Sequence, residues 1–68
     1  MEMARLEYII ISSWNMETRI KAVDALASYN KKALPSLTSV ASSLLWNAHL
    51  KQYVLDKINQ INEDKEDL

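Results

Sequence analysis

Two stretches of this 68-residue chain share one pattern: WNMETRIKAVDALASYN at residues 14–30 and WNAHLKQYVLDKINQIN at residues 46–62. The second begins 32 positions after the first, and apolar residues fall on apolar residues at several of the aligned positions. Repeats with periods of about 20–50 residues are typical of stacked helical units. The four identical pairs are Trp14 and Trp46, Asn15 and Asn47, Asp24 and Asp56, and Asn30 and Asn62.

The composition favours helices throughout. Glycine is absent, there is one proline, and 49% of the residues are hydrophobic. A chain rich in β-structure would normally need glycine in its turns. Apolar residues instead recur every three or four positions, which is the spacing of a helix face. The spacing predicts four helices, about Glu2 to Ser12, about Met16 to Tyr29, a third with Pro35 in its first turn that ends near Leu45, and about Ala48 to Ile61.

Asparagine occupies the places where helices begin and end. Asn15 and Asn47 precede the second and fourth helices, where a short side-chain oxygen can cap free N–H groups. Asn30 and Asn62 follow the same helices, and asparagine tolerates the left-handed conformation that ends a helix. The predicted turns are short, so consecutive helices are expected to lie antiparallel.

Residues 15–26, NMETRIKAVDAL, resemble the second helix of a HEAT repeat, with a turn asparagine, Arg19 four residues later, then small residues and a leucine. Pro35 stands where first helices of that family often carry a proline. The resemblance implies an all-α fold of four antiparallel helices, arranged as two stacked HEAT-like hairpins; an up-and-down four-helix bundle is the alternative. The single domain would span residues 1–62, with repeats at about 2–30 and 33–62 and an acidic, flexible tail at 63–68.

Several classes of function are disfavoured by what the sequence contains. Without cysteine there is no disulfide or thiolate site, and His49 is the only histidine, so no metal is expected. A glycine-rich phosphate loop is impossible without glycine. No serine stands in a nucleophile elbow. We therefore expect a non-catalytic protein without cofactors, although an accessory subunit that completes another enzyme's site stays an alternative.

Localisation and charge give further expectations. The longest apolar run, residues 8–11, is too short to span a bilayer, and MEMARLE at the amino end lacks the order of a signal peptide. These features predict a soluble, cytoplasmic protein. The net charge is −1, and no basic stripe marks a nucleic-acid binder. A small dimeric nucleic-acid regulator is the alternative, and it would need to gather Arg5, Arg19, Lys21, Lys31 and Lys32 on one face.

The two tryptophans lie beside helix–helix turns, and two interpretations stay open. Trp14 and Trp46 can plug the ends of the helix pairs, or they can anchor another protein or a second copy. The run Leu44, Leu45, Trp46 favours anchoring, because three large apolar residues at one turn are hard to bury in a small domain. Two repeats are also fewer than the three or so that such stacks usually need. We therefore expect a homodimer or docking on another protein.

Second helices line the concave face in HEAT arrays and usually hold the ligand, so the resemblance implies a partner surface here. Asp24 and Asp56 are equivalent positions, and either form a functional carboxylate pair or lie on a solvated face neutralised by Lys21 and Lys57. His49 is expected to be exposed. The function predicted is a protein–protein interaction module acting as adaptor, scaffold or regulator. Its expected partner-binding residues are Trp14, Trp46, Lys21, Asp24, Ser28, His49, Tyr53, Asp56 and Gln60, with Glu17 and Gln52 on the same face.

Overall fold

The computed structural model describes residues 2–63, and every regular element in that range is helical. The predicted all-α class is confirmed. A short 3-10 turn at Asn30–Ala33 joins the two halves of the chain. The four helices are α1 at Glu2–Ser12, α2 at Met16–Ala27, α3 at Leu34–Ser43 and α4 at Ala48–Glu63.

The predicted asparagine caps are confirmed at the starts of α2 and α4. Asn15 has an extended backbone, and its Oδ1 accepts from the amides of Glu17 at 2.8 Å and Thr18 at 3.3 Å. Asn47 Oδ1 accepts from the amide of Leu50 at 3.1 Å. Each side chain satisfies N–H groups that have no partner within the helix. In both hairpins, therefore, local hydrogen bonds to an asparagine side chain set where the second helix begins.

The prediction for the helix ends holds at one asparagine and is wrong at the other. Asn30 has φ of 58°, in the left-handed region, and it opens the 3-10 turn. Asn62 lies inside α4, which continues to Glu63. α2 ends at Ala27, two residues before the expected Tyr29. The hydroxyl of Ser28 donates to a backbone carbonyl of the last turn, and this local bond competes with continuation of the helix.

The third helix also ends earlier than predicted. Pro35 lies in its first turn as expected, where a missing N–H removes no helical hydrogen bond. At the other end the backbone leaves the helix at Leu44, with φ −99° and ψ 37°, so that Leu45 belongs to the turn. The turn places Leu44 in the core and leaves Leu45 and Trp46 exposed. The turn at Leu44 therefore buries that side chain and leaves the next two facing solvent.

The helices form two antiparallel hairpins, α1 with α2 and α3 with α4. The hairpins stack so that α1 packs on α3 and α2 packs on α4. In an up-and-down bundle the first and last helices would be neighbours instead, so the packing is that of stacked hairpins. Equivalent helices of the two halves lie side by side, as the internal repeat predicts.

Apolar side chains from all four helices and the 3-10 turn form one core, and no polar or charged side chain within residues 2–63 is buried. Full burial of a large aliphatic side chain stabilises a fold by about 1.5–3 kcal/mol. The predicted acidic tail begins at Glu63, the last residue of α4, and residues 64–68 lie outside the described range. The core comprises Leu6, Ile10, Ala22, Val23, Leu26, Ala33, Leu37, Val40, Ala41, Leu44, Leu50, Val54 and Ile61.

Candidate protein-interaction surfaces

Six of the nine predicted partner-binding residues lie on α2 and α4, which pack against each other, and a seventh, Ser28, directly follows α2. Tyr53 is half-buried, and the other six are exposed. We call this the α2–α4 face; it carries Lys21, Asp24, Ser28, His49, Tyr53, Asp56 and Gln60.

Asp24 is the centre of the polar contacts on this face. The hydroxyl of Tyr53 donates to Asp24 Oδ1 at 2.7 Å, and Lys57 Nζ lies 3.3 Å from the same oxygen. The Lys57 ammonium also lies 5.4 Å from the centroid of the Tyr53 ring. Three side chains from two helices thus contact one another, and they join α2 to α4 at the surface.

The environment of Tyr53 raises the pKa of its phenol above the ordinary value of 10.0. The main cause is the hydrogen bond that the phenol donates to the Asp24 carboxylate, because ionisation would remove the donor. Burial of the hydroxyl and the negative charge of Asp24 act in the same direction. Tyr53 is therefore a neutral donor near pH 7, and it serves Asp24 as a structural partner.

The structure gives the two predicted carboxylates separate partners. Asp24 bonds to Tyr53 and Lys57, whereas Asp56 accepts from Gln52 Nε2 at 3.0 Å on its own helix. Residues 2–63 contain no group of three or more side chains that could hold a metal ion. The arrangement favours a solvated face, which was one of the two interpretations drawn from the sequence. Asp24 is neutralised, but by Lys57 of the other helix and not by the lysine nearest to it in sequence.

For two other residues of the face, one prediction is wrong and one is confirmed. Lys21 pairs with Glu17 on its own helix at 3.6 Å, so it does not neutralise Asp24. Both side chains of that pair are well exposed, which limits its contribution to stability. His49 is exposed in the first turn of α4, as predicted. No described carboxylate or hydroxyl bonds to His49 within residues 2–63, so no proton-transfer arrangement is built around it.

An open cleft of about 560 Å³ lies beyond Asp24, where the carboxyl ends of α2 and α4 meet the 3-10 turn. Ala27 and Ile61 are its apolar lining residues, and the others are polar or charged. The cleft brings together three predicted partner-binding residues, Asp24, Ser28 and Gln60. The remaining lining residues are Asn30, Lys57 and Glu63.

The opposite end of the domain is apolar and exposed. Trp14 in the α1–α2 turn is 99% exposed, and Leu45 and Trp46 in the α3–α4 turn are 79% and 57% exposed. The interpretation of the tryptophans as plugs of the helix pairs is therefore wrong for Trp14 and holds only in part for Trp46. Large apolar side chains concentrated at one place mark interaction surfaces more often than scattered ones do.

The two turns lie side by side. Asn47 Nδ2 is 3.9 Å from the sulfur of Met16, which is itself partly exposed. The guanidinium of Arg19 lies 4.9 Å from the centroid of the Trp46 ring, a cation–π contact, and Arg19 Nε donates to the Ser13 carbonyl. We define the turn patch as Trp14, Met16, Leu45 and Trp46, with Arg19 at its edge.

Part of each surface was not predicted from the sequence. Met16, Arg19 and Leu45 were not among the predicted site residues, and neither was Lys57. The run Leu44, Leu45, Trp46 carried a signal, because three large apolar residues at one turn are hard to bury in a small domain. No local signal showed that Arg19 would reach Trp46, because that contact depends on how the hairpins stack.

Comparisons of the chain with protein-family models, with curated proteins and with solved structures give no match. Within residues 2–63 none of the helices has both the length and the apolar character required to cross a membrane.

Proposed function

We propose that this protein is a non-catalytic, cytoplasmic protein–protein interaction module, an adaptor or regulator that binds through its helical-hairpin surfaces. The observation that carries the proposal is the turn patch, in which Trp14, Leu45 and Trp46 expose most of their apolar area at one end of a small domain. Tryptophan is enriched among the residues that dominate binding energy at protein interfaces.

The exposed indole of Trp14 supplies a driving force for association. Burial of exposed apolar area stabilises a complex by about 25 cal/mol per Å². Large aromatic side chains bury about 150–250 Å² each, so Trp14 alone offers several kcal/mol of gross association energy. Within residues 2–63 nothing covers this side chain. A partner that covers it recovers that free energy, less the cost of association.

The α2–α4 face suits a second contact of a different kind. It is polar, carries both signs of charge, and contains a preorganised group in Asp24, Tyr53 and Lys57. In the HEAT family the equivalent helices face the ligand, and the HEAT-like relationship is part of this proposal. A mixed polar face of this type matches the rim of a protein interface better than a phosphate backbone, which requires concentrated positive charge.

Photo-cross-linking in the cells that make the protein tests the proposal. A photoreactive amino acid at position 14 should yield covalent adducts with protein, because an anchor residue lies within reach of its partner. The same amino acid at position 29 is the control, since Tyr29 is also an exposed aromatic but follows α2 at the other end of the domain. Adducts from position 29 and none from position 14 would contradict the proposal.

A further inference from the structure

We propose that the turn patch binds a second copy of this chain, in a two-fold dimer that packs Trp14 of one copy against Leu45 and Trp46 of the other. This inference rests on the proposed function and names the partner of the turn patch. Four observations carry it: the area of the patch, its internal repeat, the charges at its edge and the size of the domain.

The exposed area is enough for a small specific interface. Trp14 is almost fully exposed, Trp46 about half and Leu45 more than three quarters. With aromatic side chains burying about 150–250 Å² each, the patch offers on the order of 500 Å² per copy. Two copies would bury on the order of 1,000 Å², the lower limit for a specific interface. Such a contact forms dimers whose population depends on protein concentration.

The internal repeat makes the patch suitable for meeting itself. Trp14 and Trp46 occupy equivalent positions in the two hairpins, and the stacking places both turns at the same end. A two-fold contact needs a surface that contains both members of each interacting pair. Trp14 is almost fully exposed, while Trp46 is partly covered and has Arg19 over its ring. Trp14 of one copy can therefore pack against Leu45 and Trp46 of the other.

Charged side chains of both signs follow the patch residue Met16 along α2. Glu17 and Lys21 are exposed on the first two turns of α2, and Arg19 lies between them in sequence at the edge of the patch. Because acid and base are both present, a two-fold packing can set Glu17 of one copy opposite Arg19 of the other. A patch bordered by one sign of charge would repel its own copy.

The size of the domain gives the fourth reason. A domain of about 60 residues buries only about 60% of the surface of its unfolded chain, and the stability that remains is small. This chain has no cysteine for a disulfide, and residues 2–63 hold no metal-ligand cluster. Association stabilises the folded state by mass action, since only folded chains present the patch. The melting temperature of the dimer should consequently rise with protein concentration.

Sedimentation equilibrium of the full chain over a wide range of concentration tests the inference. The wild type should approach twice its monomer mass of 7.8 kDa. The double variant W14S/L45S should dimerise at least about thirtyfold more weakly, the effect expected on removing interface hot spots. Its helical circular dichroism should be unchanged, because both side chains are largely exposed. The control variant Y29S should dimerise like the wild type, because Tyr29 lies at the other end of α2.

Tryptophan emission gives an independent measurement. In the variant W46F the only tryptophan is Trp14. Its emission should shift to shorter wavelength as concentration rises, because dimerisation removes the indole from water. Emission typical of exposed indole in a sample that sedimentation shows to be dimeric would place the interface elsewhere, and this would overturn the inference.

The remaining outcomes also decide the question. A mass of 7.8 kDa at all concentrations would overturn the dimer. If the chain is monomeric and position 14 still cross-links to other proteins in cells, only the dimer is excluded. If position 14 does not cross-link either, the dimer and the proposed function both fail. Dimerisation unaffected by W14S/L45S would exclude this patch as the interface. A mass that grows without limit would indicate head-to-tail association, which a two-fold contact does not permit.

Discussion

The hydroxyl of Tyr53 on α4 lies 2.7 Å from the carboxylate oxygen of Asp24 on α2, and Lys57 approaches the same oxygen at 3.3 Å. This contact joins the second helices of the two hairpins, which are otherwise held together mainly by apolar side chains. This contact therefore connects the α2–α4 face to the stacking of the hairpins. Substitutions that remove it should affect both the face and the stability of the fold.

Replacing Tyr53 with phenylalanine should lower the free energy of unfolding by about 1 kcal/mol, the typical net value of an intramolecular hydrogen bond. The ring and its contact with Lys57 are kept, so the change isolates the hydroxyl. Urea denaturation followed by circular dichroism measures the effect. Y8F is the matched control, because Tyr8 is 71% exposed and should lose almost nothing. Equal stabilities for the two variants would show that the Tyr53–Asp24 bond contributes nothing.

The stabilising effect of Tyr53 should disappear at high pH. Its pKa is raised in the folded protein, so the neutral phenol is favoured in the folded state. The stabilisation is fully present below the ordinary value of 10.0 and is lost as the pH rises through the higher folded value. The difference in unfolding free energy between wild type and Y53F, measured by urea denaturation from neutral to alkaline pH, should shrink above pH 10. A difference that grows with pH would contradict the assignment.

Removing the cap of α2 should destabilise the first hairpin. In the variant N15A the amides of Glu17 and Thr18 lose their acceptor, which should cost about 1 kcal/mol. Thermal unfolding checks the prediction. N59A is the control, because Asn59 lies exposed in the middle of α4, where alanine is the better helix former. A larger loss in N59A than in N15A would contradict the capping role.

Position 30, between the hairpins, should accept glycine with less loss of stability than a β-branched residue. Asn30 has φ of 58°, a conformation that glycine adopts without a steric penalty. We expect N30G to match or slightly exceed the wild type in stability, and N30V to lose about 1–2 kcal/mol. Chemical denaturation of both variants provides the measurement. If valine were tolerated as well as glycine, the backbone at position 30 would not need the left-handed conformation.

Much of the fold was predictable because it depends on local chemistry. The four helices follow from apolar spacing, and their starts follow from Asn15, Pro35 and Asn47, whose effects act within one turn of the chain. The predicted helix ends were less accurate. Asn62 resembles Asn30 in the repeat, yet α4 continues past it to Glu63. A helix end depends on which carbonyl partners and packing contacts are available, and the aligned sequences do not contain that information.

The surfaces show the same division. The exposure of most residues of the α2–α4 face was predictable, because they occupy the outer sides of two amphipathic helices. Their pairing was not. Lys21 bonds within α2 while Lys57 crosses to Asp24, and the choice depends on distances between helices.

The sequence alone determined the class of the fold, the number of its helices and the residues that start them, because apolar spacing and helix caps act between neighbours in the chain. Only the tertiary structure decided that Leu44 is buried while Leu45 and Trp14 face water, and that Arg19 meets Trp46. The physical reason is competition for a small core. Two stacked hairpins can bury only some of the apolar residues at their turns, and packing between the hairpins selects which ones.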